Sequence, residues 1–438
     1  MFDLAESDLV QHKVRAWHQR FGDIFYTKIG GTDYVWLSNI YSSRPSLPLA
    51  QDVASAGRRQ LFMAYGPQWR QLRKHSHALL NLKAAEKYQH IQDFESKQVM
   101  RDLLERPDMF YDINRRYSAS VIMLLCYGYR ISSFEDPLIK KIYTVLNNLT
   151  EITAPGAHAV DSFPSLAVLP QFLLGNWYTY AREVHNHDRK VYMELWEQLK
   201  KEVDEGKAAD CFCRDFYLSD PAENGIDNLL AAYTCGGLVE AGSETTATTL
   251  NNWMLAMTCF PEALKKAQAE VDSVVGSERL PTFSDEPNLP YVRAMIKEVM
   301  RWRPVNKFGM FHATSEDDWY EGYFIPKGTT APLPAANYVN CPDPYDRDHF
   351  TYGAGRRVCP GIHVAERSLF INIARVIWGF DIGKRRSATG EEIEPTTKMV
   401  PGFLSVPLPF ECTIKPRSMR QAQKIRDEFA KAEKDGVR

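Results

Sequence analysis

The segment Phe350-Thr-Tyr-Gly353-Ala-Gly355-Arg356-Arg357-Val-Cys359-Pro-Gly361 runs straight into an apolar stretch with helical spacing that starts at about Ile362. A chain that folds around this loop must present a cysteine to a partner. The glycines permit conformations and close approaches that a Cβ blocks, so turned-in backbone N–H groups can donate to the sulfur and temper its charge. The helix that follows adds its positive N-terminal end, which also favours a thiolate. Arg357 offers a cation to an anion close by. Zinc and iron–sulfur sites need several cysteines or histidines grouped together, and here one sulfur is offered. The metal this implies arrives with most of its ligands in place, as haem iron does. The plain alternative is a reduced cysteine in a glycine-rich turn. Cys211-Phe-Cys213 has no second pair to complete a metal site and reads as an ordinary loop.

Apolar residues recur at helical spacing from Gln68 to about Glu105 and across 116–128, 176–206, 226–259, 261–275 and 290–302. Two β-rich runs around Gly30-Gly31 within 24–38 predict a hairpin. Further extended regions cover 305–333 and 398–416, where Pro401, Pro407 and Pro409 rule out regular helix. The fold class is mainly α with a small β region. The length of 438 residues allows several domains, but there is no linker, repeat or low-complexity segment, so one unit over 1–438 is expected. A net charge of -2 argues against a nucleic-acid binder that neutralises phosphates. Eight scattered cysteines behind a polar start, Met1-Phe-Asp-Leu-Ala-Glu-Ser-Asp, indicate a reducing compartment, and Asn148-Leu-Thr150 reads as a chance glycosylation match. No run reaches the ~20 apolar residues of a spanning helix, so no transmembrane anchor is expected in this chain.

Within Glu240-Ala241-Gly242-Ser243-Glu244-Thr245-Thr246 a helical stretch carries glycine in its middle. Glycine costs about 1 kcal/mol against alanine there, so something needs its small size, such as a flat ligand or dioxygen lying on the helix. Thr245 can hydrogen-bond to a distal oxygen or a water, and Glu244 can link that water to bulk solvent as a proton source. A surface helix with a local kink is the alternative. Glu298 and Arg301 are i, i+3 neighbours ahead of Pro304, and Trp69 and Arg73 place an indole N–H and a guanidinium on one face, suited to a carboxylate. Arg70, Lys74, His75, His77, Lys83 and Lys87, with Arg356 and Arg367, would make the face behind the cysteine basic.

At every fixed position the cysteine loop matches the haem-binding signature of the cytochrome P450 monooxygenases, and the chain resembles that family over nearly its whole length. The resemblance implies the cytochrome P450 fold, with haem b (iron protoporphyrin IX) between a long oxygen-activating helix and the cysteine loop. Cys359 would be the axial iron ligand, with Phe350, Gly353, Gly361 and Gly242 around the haem and Trp69, Arg73, Arg357 and His312 on its propionates. Glu244 and Thr245 would be catalytic, while Glu298 and Arg301 would be structural support. Electrons would come from NADPH through a cytochrome P450 reductase, and dioxygen would be activated opposite Cys359. The substrate would be a lipophilic small molecule bound by the apolar segments 155–174, 306–311 and 401–404. Tyr65-Gly-Pro-Gln-Trp-Arg, Ala-Gly-Ser-Glu-Thr-Thr and Gly361-Ile-His-Val-Ala-Glu-Arg-Ser-Leu resemble fungal microsomal-type members of secondary metabolism. The apolar loop Phe163-Pro-Ser-Leu-Ala-Val-Leu-Pro170-Gln-Phe-Leu-Leu174 would touch the endoplasmic reticulum membrane from the cytoplasmic side or pack over the pocket. Two rival readings are a reductase-independent haem-thiolate isomerase or dehydratase and a non-catalytic haem or ligand carrier. One departure stands out: a Pro-x-Arg-Phe-like segment, whose arginine joins Glu298 and Arg301 in the family, is shortened or missing between Pro332 and Phe350, and Arg347 is the substitute at hand.

Overall fold

A computed structural model of the chain describes residues 25–29, 32–36, 42–331 apart from 155, 308 and 321, and 351–436 apart from 354 and 401. Several helices begin where the sequence supplies a proline or a capping side chain. Helix α1 (Pro67–Leu80) opens on Pro67 and ends at Asn81, whose side chain accepts the Ala84 N–H at 3.0 Å to cap the short turn Leu82–Lys87. Helix α2 (Gln89–Glu105) follows, so the expected single stretch from 68 to 105 is broken twice, at Asn81 and Tyr88. Helix α3 (Phe110–Tyr127) ends on Gly128, which takes the left-handed conformation at φ 66°. Helix α4 (Pro137–Ile152) carries Asp136 as its cap and Pro137 at its start. It lies outside the expected helical stretches although its signals are plain in hindsight.

Helices α5 (Trp177–Asp204), α6 (Asn228–Cys259), α7 (Pro261–Val274) and α8 (Pro290–Trp302) agree with the periodicity to within two residues. The strands are β1 (Phe25–Ile29), β2 (Thr32–Trp36), β3 (His312–Ala313), β4 (Asp318–Tyr320), β5 (Tyr323–Ile325) and β6 (Thr330–Ala331). The expected hairpin is β1–β2, paired antiparallel from Phe25 with Trp36 to Ile29 with Thr32. Its edge β2 meets β6 in parallel at Tyr34 and Thr330, and β3 closes the sheet order β1-β2-β6-β3. The 305–333 region therefore forms several short strands. Helix α9 (Ile362–Gly379) begins where the sequence places it and leads into β7 (Phe380–Arg386), which pairs with β8 (Glu392–Ile393) and β9 (Cys412–Pro416). A last amphipathic helix, α10 (Met419–Asp435), lies on α2, with Ile425 and Phe429 buried beneath it.

Helix α6 crosses the interior and is buried on almost every side, packing against α3, α4, α5, α8 and α9. Buried on nearly every side, it still carries polar residues such as Glu240, Glu244, Asn251 and Asn252, which must find partners inside the fold. Helix α9 lies between α2 and α7, with everything from Ser368 to Gly379 buried. The cysteine loop is thus the lead-in to one of the most firmly packed helices of the molecule. Among the described residues no helix is long and apolar enough to cross a membrane.

Candidate active site

The cysteine loop owes its shape to two left-handed glycines, Gly353 at φ 74° and Gly355 at φ 60°. They turn the chain so that the Tyr352 carbonyl accepts the Cys359 N–H at 2.7 Å and the Gly355 carbonyl accepts that of Val358 at 3.1 Å. At Gly361 a Cβ would lie in ordinary contact with the Cys359 sulfur, at 3.8 Å. Burial pushes the Cys359 thiol up, and the Gly361 N–H and the Arg73 guanidinium pull it back toward the thiolate. Burial is the largest effect, so the thiol stays above its usual range, and a cation bound at the sulfur would offset that cost.

Around this loop the fold gathers several cations. Arg73 on α1 donates to the Val358 carbonyl, next to Cys359. Arg357 donates from Nε to the Ser42 carbonyl and from Nη2 to the Met63 carbonyl, both at 2.8 Å, and its guanidinium lies 4.0 Å from the centre of the Trp69 ring. Arg44 is 9% exposed and donates to the carbonyls of Leu61 at 3.1 Å, Met310 at 2.8 Å and Phe311 at 2.9 Å. Among the described residues, none of these three guanidiniums has a carboxylate within ion-pair distance. Burial and then the neighbouring Arg357 push Arg44 down to about 9, and burial with Arg73 pushes Arg357 down to about 10. Buried cations that repel one another invite an anion with more than one carboxylate. Arg44 escapes sequence reasoning because Ser43-Arg44-Pro45 carries no pattern; its role exists only through residues 310 and 311. His312 is buried in β3, directly after those two carbonyls. Phe350 and Arg347 lie outside the described residues.

Helix α6 divides its polar residues between two sides. Ala241, Gly242 and Thr245 retain partial exposure, whereas Ser243 and Glu244 are buried. The Thr245 hydroxyl donates to the Ala241 carbonyl at 2.7 Å, and Glu244 Oε1 accepts from Arg115 on α3 at 3.0 Å. Burial raises the Glu244 carboxyl, while Arg115, Tyr143 and Thr248 lower it. At Gly242 a Cβ would stand 2.6 Å from Cγ1 and 2.8 Å from Cβ of Ile122, and Ser118 Oγ donates to the Gly242 carbonyl at 2.8 Å. The crossing of α3 over α6 is therefore one reason the residue must be small, a reason the sequence did not show.

Arg301 grips Glu298 with two hydrogen bonds of 2.8 and 2.6 Å, as their spacing implies. Two of the apolar segments expected at the pocket, 155–174 and 306–311, share one cluster, and the third lies next to a backbone bond from Ser405 to residue 305. Leu166, Ala167, Leu174 and Met310 pack on one apolar cluster with Leu49, Phe62, Leu149, Ile152 and Trp177, and the Ser405 N–H joins the Val305 carbonyl at 2.7 Å. Behind the thiol, the guanidiniums of Arg70 and Arg356 lie 5.6 and 5.5 Å from the centre of the Tyr65 ring. Helix α1 and the cysteine loop therefore share one exposed basic face, to which Lys74 and His77 belong.

The cytochrome P450 family model matches residues 1–340. The chain is 42% identical to the cytochrome P450 monooxygenase verL of Clonostachys rogersoniana over 100% of this chain and 88% of that protein. It is 35% identical to the cytochrome P450 monooxygenase virE of Hypocrea virens, covering 94% of this chain and 82% of the relative. It is also 35% identical to the cytochrome P450 monooxygenase fogE of Aspergillus ruber, over 95% and 84% of the two chains. The alignment with verL spans 481 positions against 438 residues here, so that relative has residues within the aligned span that this chain lacks.

Proposed function

The chain belongs to the cytochrome P450 family and is a haem-thiolate monooxygenase, and on that premise we propose that it inserts oxygen into a lipophilic small molecule of secondary metabolism. The observation that carries the site assignment is the half-buried Cys359 beside Arg73, with Arg357 acting on Arg44 next to them and no carboxylate of the described residues within ion-pair distance of the three. That donor set fits haem b: one sulfur for the iron, and guanidiniums with the neighbouring Trp69 and His312 for the two propionates. When bound, the haem supplies the iron at which dioxygen is reduced and one oxygen atom is transferred. Gly353 and Gly361 shape the approach to the sulfur.

The remaining roles belong to this chain's side chains. Thr245 holds a proton at its hydroxyl on the partly exposed side of α6, and Glu244 resupplies it from solvent. The apolar segments 155–174, 306–311 and 401–404 bind the substrate and exclude water. Arg70, Lys74 and Arg356 on the basic face receive an acidic electron donor, an NADPH-cytochrome P450 reductase. The loop carrying Val168, Phe172 and Leu173, which are 86, 70 and 62% exposed, rests on the endoplasmic reticulum membrane surface.

The test has two arms. Cys359→Ser should abolish the thiolate-type reduced carbon monoxide spectrum of the purified protein; retention of that spectrum removes the assignment. Apo-protein should bind metal-free protoporphyrin IX more tightly than its dimethyl ester, and Arg44→Met should weaken the diacid by about tenfold while leaving the ester unchanged. Equal loss for both would make Arg44 a backbone staple only.

A further inference from the structure

The stretch 54–66 forms neither helix nor strand, yet it carries two of the acceptors that hold the cations near the cysteine loop. Its Leu61 carbonyl accepts from Arg44 Nε at 3.1 Å, and its Met63 carbonyl accepts from Arg357 Nη2 at 2.8 Å. Those two guanidiniums repel each other, since Arg357 is one of the causes that push Arg44 down. Two like charges keep their places only if the acceptors beside them keep theirs. An irregular segment lacks the repeating backbone bonds of a helix or sheet, so side chains must do more of the fixing.

The side chain that fixes this segment is Arg59, which is 1% exposed. Its Nε donates to Glu240 Oε2 at 3.1 Å and its Nη2 to Glu240 Oε1 at 2.6 Å, a two-pronged grip on α6. Nη2 also donates to Asp188 Oδ2 on α5 at 3.0 Å, and Nη1 donates to Ser55 Oγ within the segment at 3.0 Å. Asp188 Oδ1 accepts in turn from Asn148 on α4 at 2.8 Å, which ties α4 to the same cluster. The Phe62 N–H donates back to the Arg59 carbonyl at 3.1 Å and links the anchor to the neighbouring carbonyls of residues 61 and 63.

We propose that Arg59 is a positioning residue for the haem propionates: by clamping the segment to α5 and α6 it sets the carbonyls of Leu61 and Met63, and through them the guanidiniums of Arg44 and Arg357. The inference rests on the reading of Arg44 and Arg357 as propionate partners. Burying one cation with two carboxylates carries a desolvation cost that apolar side chains would avoid, so what the cluster contributes is one fixed geometry and not stability. Arginine suits that task because its planar fork meets Glu240 through two bonds at once, whereas lysine offers a point charge. Without the fork the segment is free to shift. Arg44 and Arg357 then yield to their mutual repulsion, and the two carboxylates of the ligand lose matched partners.

The experiment compares haem with haem dimethyl ester, which keeps the ring and iron but carries no propionate charge. The full chain is loaded with each, and loss to excess apomyoglobin is followed by absorbance. The variant combines Arg59→Met with Asp188→Asn and Glu240→Gln, so that no carboxylate stays buried without its cation. Haem should leave this variant about tenfold faster than it leaves the parent, while the ester leaves both at the same rate. Adding Arg44→Met should speed haem loss less in the variant than in the parent, because both changes remove the same interaction. Equal acceleration for haem and ester, or full additivity with Arg44→Met, would make the cluster a general support of the fold and overturn the proposal. If the combined variant does not accumulate as folded protein, Glu240→Gln alone should speed the loss of haem, and not of the ester, by about threefold; no change overturns the proposal. A parent chain that releases haem and ester equally fast defeats the propionate reading and the proposal with it. A parent that retains haem longer than the ester, with variants that match it, defeats the proposal alone.

Discussion

Alanine at position 242 puts two effects of known sign against each other. Within helix α6 the replacement gains about 1 kcal/mol of helix propensity. Against that, the new Cβ falls 2.6, 2.8 and 3.0 Å from Cγ1, Cβ and Cδ1 of Ile122. One of those atoms is a Cβ that no rotamer change can remove, so α3 and α6 must separate where they cross. Overpacking of this kind costs about 1–3 kcal/mol. Taking the upper end for three such contacts leaves Gly242→Ala less stable by about 2 kcal/mol. The Ser118 bond to the Gly242 carbonyl adds to the loss if the helices part. Urea unfolding of the purified protein, followed by helical circular dichroism, measures the change. A double-mutant cycle with Ile122→Ala should return a favourable coupling of about 1 kcal/mol, because that change removes Cγ1 and Cδ1. The thiolate-type spectrum should stay in place. A Gly242→Ala protein as stable as the parent, or one whose loss is in the haem spectrum without a loss of stability, would refute the packing explanation and return Gly242 to the ligand face.

Thr245→Ala should bind haem normally and still consume NADPH, yet yield more peroxide and less product; unchanged coupling would remove α6 from the proton path. Leu169→Ser with Phe172→Ser should abolish the association of the protein with liposomes, since the two side chains are 42 and 70% exposed and each buried CH₂ contributes about 0.8 kcal/mol; flotation that shows equal association in the double variant would give that loop a pocket-covering role instead. Asp161, which accepts the N–H groups of Leu49 and Ala50 at 2.7 and 3.1 Å, is raised to about 6 by burial. Its folded value lies above the ordinary carboxyl range, so the stability linked to its proton is present below that range and lost as pH rises through about 6. Asp161→Asn should therefore flatten the fall in thermal midpoint between about pH 4 and 6, and an unchanged slope would count against the assignment.

Much of this site is readable along the chain because its signals are local. Two glycines set a turn around one cysteine, a helix starts at Ile362, and the spacing of Glu298 with Arg301 makes them meet on one turn. Backbone conformation and helical periodicity depend on residues a few positions apart, so they survive as pattern. The breaks at Asn81 and Tyr88 are less visible, since a capping side chain can interrupt a helix without disturbing the apolar period across it. Helix α4 was open to the same reasoning, with Asp136-Pro137 at its start and Ile139, Ile142, Leu146 and Leu149 along one face.

The sequence by itself singled out the candidate residues: a lone thiol in a glycine-rich loop, an acid beside an alcohol in an apolar helix, and an indole four positions from an arginine. Tertiary structure alone decided what surrounds them. Arg44 reaches the carbonyls of residues 310 and 311 across the fold, Arg115 reaches Glu244 from another helix, and Arg59 meets both Asp188 and Glu240 in the interior. Gly242 shows the difference at one position, since its need for small size was legible and one reason for it, Ile122, was not. Contacts between distant segments depend on how helices cross and on which charges burial leaves unpaired, and neither quantity has a period along the chain.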